Sequence, residues 1–271
     1  MQRNWPTDVV PYDVERIRAE EYPQLRNKTY LDHTGTTLYA KSLMTEFAAD
    51  MIANLYGNPH SESVPSMLAG RRIECIRERT LRFFNASPDE FDLIFVSNAS
   101  AAIKLVYEAL RDYAEDHSLW FGYHKDSHNS VIGMREAFQN HHCFANDGEV
   151  ECWIDSRGCP SGPSANEIGL FAYPAQSNMT GRRLPLDWSG RIRHNLSGNS
   201  TFTLLDAAAF ASTALLDLSE PEIAADFIPL SFYKIFGFPN LGALIVRKTT
   251  DALSVLRRRQ YFGGGYVNCA A

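Results

Sequence analysis

Polar and apolar positions follow two rhythms along this chain. Short, nearly unbroken apolar runs bounded by turn residues fall at 92–96, 119–123, 167–173, 201–205 and 241–246. Runs of that length predict strands buried on both faces. Between them the apolar residues recur every three or four positions. Residues 41–56 place Leu43, Met44, Phe47, Ala48, Met51, Ile52 and Leu55 on one helical face. After the turn at 57–61, a second long helix with Ile73, Ile76, Leu81 and Phe84 runs to about Asn85, its arginines facing solvent. Further helices are predicted from the small residues at 97–102 to about Tyr113, from just after His128, and over 186–196. Residues 29–40 read as a short strand entering a loop at Gly35, and 146–166, rich in Gly and Pro, as an exposed insertion. Strand and helix therefore alternate. That order predicts an α/β fold with a mainly parallel sheet flanked by helices, in which ligands gather at the carboxyl ends of the strands.

Composition narrows the partners more than the fold. The 271 residues carry a formal net charge of −6 with no block of like charges, which argues against nucleic acid or an anionic membrane as partner. The amino terminus lacks an apolar leader and every long apolar stretch is broken by a charge, so a cytoplasmic, soluble chain without a membrane span is expected. Five cysteines, an odd number without C-x-x-C spacing, point away from a disulfide framework or a metal site.

The informative residues are those just after strands: Ser100, His128, Asn178, Asp206, Ser231 and Lys234. Lys234 stands among Phe232, Tyr233, Ile235, Phe236 and Phe238. A lysine held in such surroundings becomes a nucleophile toward carbonyl compounds, or else snorkels to water along its stem. Asp206 closes an apolar strand and precedes Ala207, Ala208 and Ala209, where a carboxylate either meets a cation or caps a helix. The run from Asp92 to Ala102 is a strand, a small-residue turn and a helix start, which is either a phosphate cradle or a plain β-α turn.

Together these segments resemble the class V aminotransferases, the NifS-like enzymes that use pyridoxal phosphate, and among them the molybdenum cofactor sulfurases. The likeness runs from about Tyr30 to Gly265 through YLDHTGTTLY, GNPHS, FVSNASAAIKLV, DSHNSVIGMRE, SNMTGRRLPL, LLDAAAF and, most specifically, SFYKIFGFP. It implies the large domain of the type I fold of pyridoxal phosphate-dependent transferases. It also implies that Lys234 carries the cofactor covalently, His128 stacks on its ring and Asp206 pairs with the ring nitrogen. Ala99, Ser100, Ser231 and Tyr233 would hold its phosphate, and Asn178 would approach the ring hydroxyl. The implied activity is sulfur mobilisation from L-cysteine, releasing alanine, for molybdenum cofactor and its enzymes, in a homodimer. A cysteine desulfurase or lyase of the same superfamily is the alternative, as is a catalytically idle module. The chain departs from the pattern at Ala209, where the family has Gln or Ser, and at Tyr266, where it has Thr or Ser. The whole of 1–271 is expected to be a large-domain portion, with the small domain, the sulfur-accepting cysteine loop and a cofactor-binding domain lying beyond it. Cys269 is not expected to substitute for that cysteine.

Overall fold

The computed structural model describes residues 13–115, 117–155, 162–164, 166–196 and 200–259. The chain begins with α1 (Val14–Glu21), α2 (Lys41–Ala53) and α3 (Val64–Phe83), then alternates β1 (Phe91–Val96), α4 (Ala99–Ala114), β2 (Ser118–His124), α5 (Asn129–Ile132), β3 (Asn140–Phe144) and α6 (Asp147–Ile154). It continues through β4 (Glu167–Pro174), α7 (Trp188–Asn195), β5 (Thr201–Asp206), β6 (Phe227–Ser231), α8 (Tyr233–Phe236), β7 (Gly242–Arg247) and α9 (Ala252–Arg257). The strands make one sheet in the order β1-β7-β6-β5-β4-β2-β3. Only β7 runs against the others, pairing antiparallel with both β1 and β6. The carboxyl ends of β1, β2, β4, β5 and β6 consequently share one edge of the molecule.

Successive side chains on a strand point to opposite faces, so each apolar run feeds two cores. Phe171, Tyr173, Leu205, Ile228 and Ile245 pack on one face with Leu81 of α3, Trp153 of α6 and Trp188 of α7. Leu170, Ala172, Leu204, Phe227 and Leu244 pack on the other with Val106 and Leu110 of α4, Val131 of α5 and Val255 of α9. Full burial of such side chains stabilises the fold by about 1.5–3 kcal/mol each. α4 buries eight residues, from Ala99 to Ala114, so its first turn is anchored against the sheet.

Two expectations from the sequence change, one edge strand was unforeseen, and one predicted helix is left with an open face. Residues 29–40 form no strand: Tyr30 Oη donates to the carbonyls of Asp32 and Thr36, folding the segment on itself, and the Thr37 N–H goes to the Tyr233 carbonyl. The supposed insertion begins with α6, whose Val150, Trp153 and Ile154 are buried. β3, a polar edge strand reading NHHCF, carried no apolar signal because an edge is covered on one side only. The apolar face of α2 exists as predicted yet is largely uncovered among the described residues: none of its residues is buried, Phe47, Met51 and Ile52 are exposed, and Phe47 meets only the edge of Phe238. The arginines of α3 are mostly solvated, although Arg77 reaches back to the Leu93 carbonyl.

Cys75 and Cys143 are exposed free thiols, while Cys152 is disulfide-bonded, a bond that cysteine count and spacing did not announce. Cys159, Tyr266 and Cys269 lie outside the described residues. No helix among the described residues is long and apolar enough to cross a membrane.

Candidate active site

At the shared carboxyl edge lies a cleft open to solvent. Ala99, Ser100, His128, Asn178, Asp206, Ser231, Tyr233 and Lys234 all line it, together with Ile103, Pro174, Gln176, Ala208 and Ala209. Residues spread over 136 positions of sequence converge because they stand at or just after the carboxyl ends of β1, β2, β4, β5 and β6.

The phosphate-cradle candidate is built by close backbone approach. The Ala99 N–H donates to Ser231 Oγ at 3.1 Å, and the Asn98 side chain caps α4 through the Ala101 N–H at 2.9 Å. Gly242 permits this approach: a Cβ there would come within 2.5 Å of the Leu230 carbonyl oxygen and 2.7 Å of Asn98 Cα. The start of α4 thus sits directly over the end of β6; the Ala99, Ala101 and Ala102 N–H groups are taken within the protein, which leaves the Ser100 N–H and the helix dipole to favour an anion. Ser100 Oγ lies 2.5 Å from Ser130 Oγ, which lies 3.0 Å from His128 Nδ1. The Ser130 backbone N–H also donates to that Nδ1, at 3.1 Å. An imidazole nitrogen that accepts carries no proton, so the neutral ring of His128 keeps its proton on Nε2.

Asp206 is buried, and among the described residues the only hydrogen bond to its carboxylate is from the Ala208 N–H to Oδ1 at 3.1 Å. This is a local turn, not a helix cap, since the short helix that follows starts from Ala209 without a side-chain cap. Burial pushes the carboxyl pKa up, and the Ala208 N–H and the proximity of His128 and Lys234 pull it back down. The cleft therefore places one carboxylate opposite an array of donors. Lys234 is half-buried and not boxed in by its aromatic neighbours, because Phe236 turns outward and is 52% exposed. Gly237 closes that turn in the left-handed region at φ 76°, where a side chain would strike the backbone of Leu38 and Tyr39.

Two groups outside the sequence reading shape the cleft. Arg182 clamps the loops that carry His128 and Asn178: Nε and Nη2 donate to Asp126 Oδ2 at 3.1 and 2.9 Å, and Nη1 and Nη2 to Asp147 at 2.8 and 3.0 Å. Beneath it, fully buried His124 accepts the Asp126 N–H on Nδ1 and sets Nε2 3.2 Å from Asp147 Oδ1, without the alignment of a hydrogen bond. Burial lowers the His124 pKa against the pull of Asp126 and Asp147. Gln176, two residues past β4, is the second group. Its place at a strand end was the available signal, but the sequence reading passed over it for Asn178.

Residues 29–271 match the family described as aminotransferase class-V. The chain is 56% identical over 259 residues to a molybdenum cofactor sulfurase of Aspergillus clavatus, covering 94% of this chain and 30% of that protein. It is 54% identical over 258 residues to one of Botryotinia fuckeliana, covering 94% and 31%. The chain thus spans about a third of the length of these curated relatives. Among solved structures it resembles a NifS-like protein of Rickettsia africae at TM-score 0.65 and 17% identity, covering 82% of this chain and 58% of that one. An Escherichia coli cysteine desulfurase matches at 0.67 and 18%, covering 93% and 61%. SspA, solved in complex with cysteine, matches at 0.67 and 18%, covering 80% and 60%. At these identities the structural likeness is one of fold, the type I fold of pyridoxal phosphate-dependent transferases. With the family pattern running through every strand that borders the cleft, this chain belongs to the class V aminotransferase family.

Proposed function

We propose that this chain is the pyridoxal phosphate-binding portion of a molybdenum cofactor sulfurase, mobilising sulfur from L-cysteine, with release of alanine, for molybdenum cofactor and the enzymes that carry it. The observation that carries the reading is Asp206, a buried carboxylate with Oδ2 unpartnered among the described residues, in a cleft whose other polar side chains can all donate. A ligand suited to it has one positive ring nitrogen and several anionic oxygens, which is the donor-acceptor pattern of pyridoxal phosphate. The sulfurase relatives, at over half identity, support the substrate and acceptor.

Each side chain then has a task. The start of α4, with Ser100, Ser231 and Tyr233, holds the phosphate. Asp206 holds the ring nitrogen in its protonated form, and His128 lies against the ring with its proton on Nε2. Asn178 approaches the ring hydroxyl. Lys234 would hold the cofactor covalently, and its amine, once the substrate amine has displaced it, would remove and return the proton at the substrate Cα. When bound, the cofactor supplies an electron sink for the charge that develops at that carbon. Homodimeric assembly is part of the proposal, supported by the uncovered face of α2, and so is a cytoplasmic location.

The test is direct. The full chain is loaded with pyridoxal phosphate, reduced with borohydride and mapped by mass spectrometry. A pyridoxyl group on the Lys234 peptide is expected, and a label on another lysine in its place would overturn the assignment. L-cysteine should perturb the visible band of the loaded protein, and a Lys234→Ala protein should carry no covalent pyridoxyl group after the same reduction.

A further inference from the structure

Gln176 lines the cleft beside Ala208 and Ala209, next to the carboxyl end of β5, because Ala175 pairs its N–H with the Asp206 carbonyl. Its amide orientation is determined by chemistry. Arg183 Nε lies 3.1 Å from one end of the amide, and a guanidinium can only donate, so that end is the oxygen Oε1. Thr213 Oγ1 approaches the same oxygen at 3.5 Å. Arg183 is itself held: its guanidinium stacks 5.1 Å from the centre of the Phe210 ring, and its backbone bridges to Gln176. With Oε1 engaged on the arginine side, the two N–H donors of Nε2 remain, and no protein acceptor takes them among the described residues.

We infer that Gln176 is a cofactor-binding residue, its amide locked by Arg183 so that Nε2 donates to an acceptor oxygen of the bound aromatic aldehyde. The inference rests on the pyridoxal phosphate reading above and adds a contact to it. Ala209, beside Gln176, offers no polar group to the cleft, and Gln176 supplies the donor on that side. Arg183 acts as a positioning residue, through the amide it orients.

The experiment titrates the full chain with pyridoxal phosphate, reading the visible band and the melting temperature of the cofactor-free protein. Gln176→Glu keeps an oxygen for Arg183 and removes the donor. It should weaken binding at least about tenfold and shift the band, with cofactor-free melting unchanged, since a hydrogen bond to a charged acceptor carries at least that factor. Gln176→Asn, which withdraws the amide by one methylene without adding charge, should do the same and decides the matter if the Glu variant misfolds. Variants that bind as tightly as the unaltered chain, with an unshifted band, overturn the role of Gln176 while leaving the cofactor reading intact. Affinity lost only in step with a lowered cofactor-free melting temperature also overturns it, in favour of a structural role. Failure of the unaltered chain to bind overturns both.

Discussion

Replacing Asp206 by Asn should move stability and cofactor affinity in opposite directions. The Asn oxygen can keep the bond from the Ala208 N–H that now ends on Oδ1, so the turn after β5 survives. What disappears is a buried carboxylate whose pKa burial pushes up. Leaving a buried polar group poorly compensated costs about 1–3 kcal/mol, so the cofactor-free protein should gain on the order of 1–2 kcal/mol. For a chain of this size that is a melting temperature roughly 2–8 °C higher. The sign has a pH signature. The folded pKa of Asp206 lies above its unfolded value, so the unfolded carboxyl ionises first as pH rises and the native protein holds the extra proton. The wild type therefore pays no penalty below about pH 3.8, and the Asn advantage grows as pH rises through the raised folded pKa, then levels off. Pyridoxal phosphate binding should fall about 10- to 100-fold, the value of one charge-assisted contact. Thermal unfolding between pH 3.5 and 8, with absorbance titration of the cofactor, measures both. If the variant melts no higher and binds as tightly, Asp206 serves only its turn, and the electrostatic reading of the cleft is wrong.

Arg182→Ala removes a clamp between two loops. Because Arg182 is 41% exposed, screening limits the loss to about 1 kcal/mol, or roughly 2–4 °C, shrinking in 1 M salt; equal melting of variant and wild type at low salt would refute it. His124 is buried with a lowered pKa, so the unfolded chain takes up its proton first as pH falls below 6.5, and stability drops by at most about 1.4 kcal/mol per pH unit until the folded pKa is reached. His124→Gln should flatten that slope between pH 6.5 and 5, and parallel profiles would count against it. Ile52→Glu on the uncovered face of α2 should shift sedimentation equilibrium toward monomer, whereas a wild type already monomeric at micromolar concentration would refute the homodimer.

The sheet was legible in the sequence because burial on both faces leaves a local mark. The runs that became β2, β4, β5 and β7 are nearly unbroken because the residues of a doubly covered strand meet apolar neighbours on both faces, while β1, an edge strand, showed through Leu93, Ile94, Phe95 and Val96. The positions that line the cleft were legible for a related reason: Ser100, His128, Asn178, Asp206 and Lys234 are polar residues at the ends of such runs, where a chain has little local cause to place them. β3 left no mark, since a polar edge strand needs only a backbone partner, and α6 was hidden by the Gly and Pro around it. Whether α2 was covered could not be read from its stripe of apolar residues, because an amphipathic face records a need for a partner and not its presence. Tertiary structure alone decided how the ends met. Asp206 had two readings until the fold buried it opposite Lys234 and His128, and Lys234 proved half-buried because Phe236 turns out to solvent. Arg182 and Gln176 act on the cleft through partners as far as 56 positions away in sequence, such as Asp126. Periodicity carries information over a turn of helix or a pair of strand residues, and hydrogen bonds between loops fall outside that range.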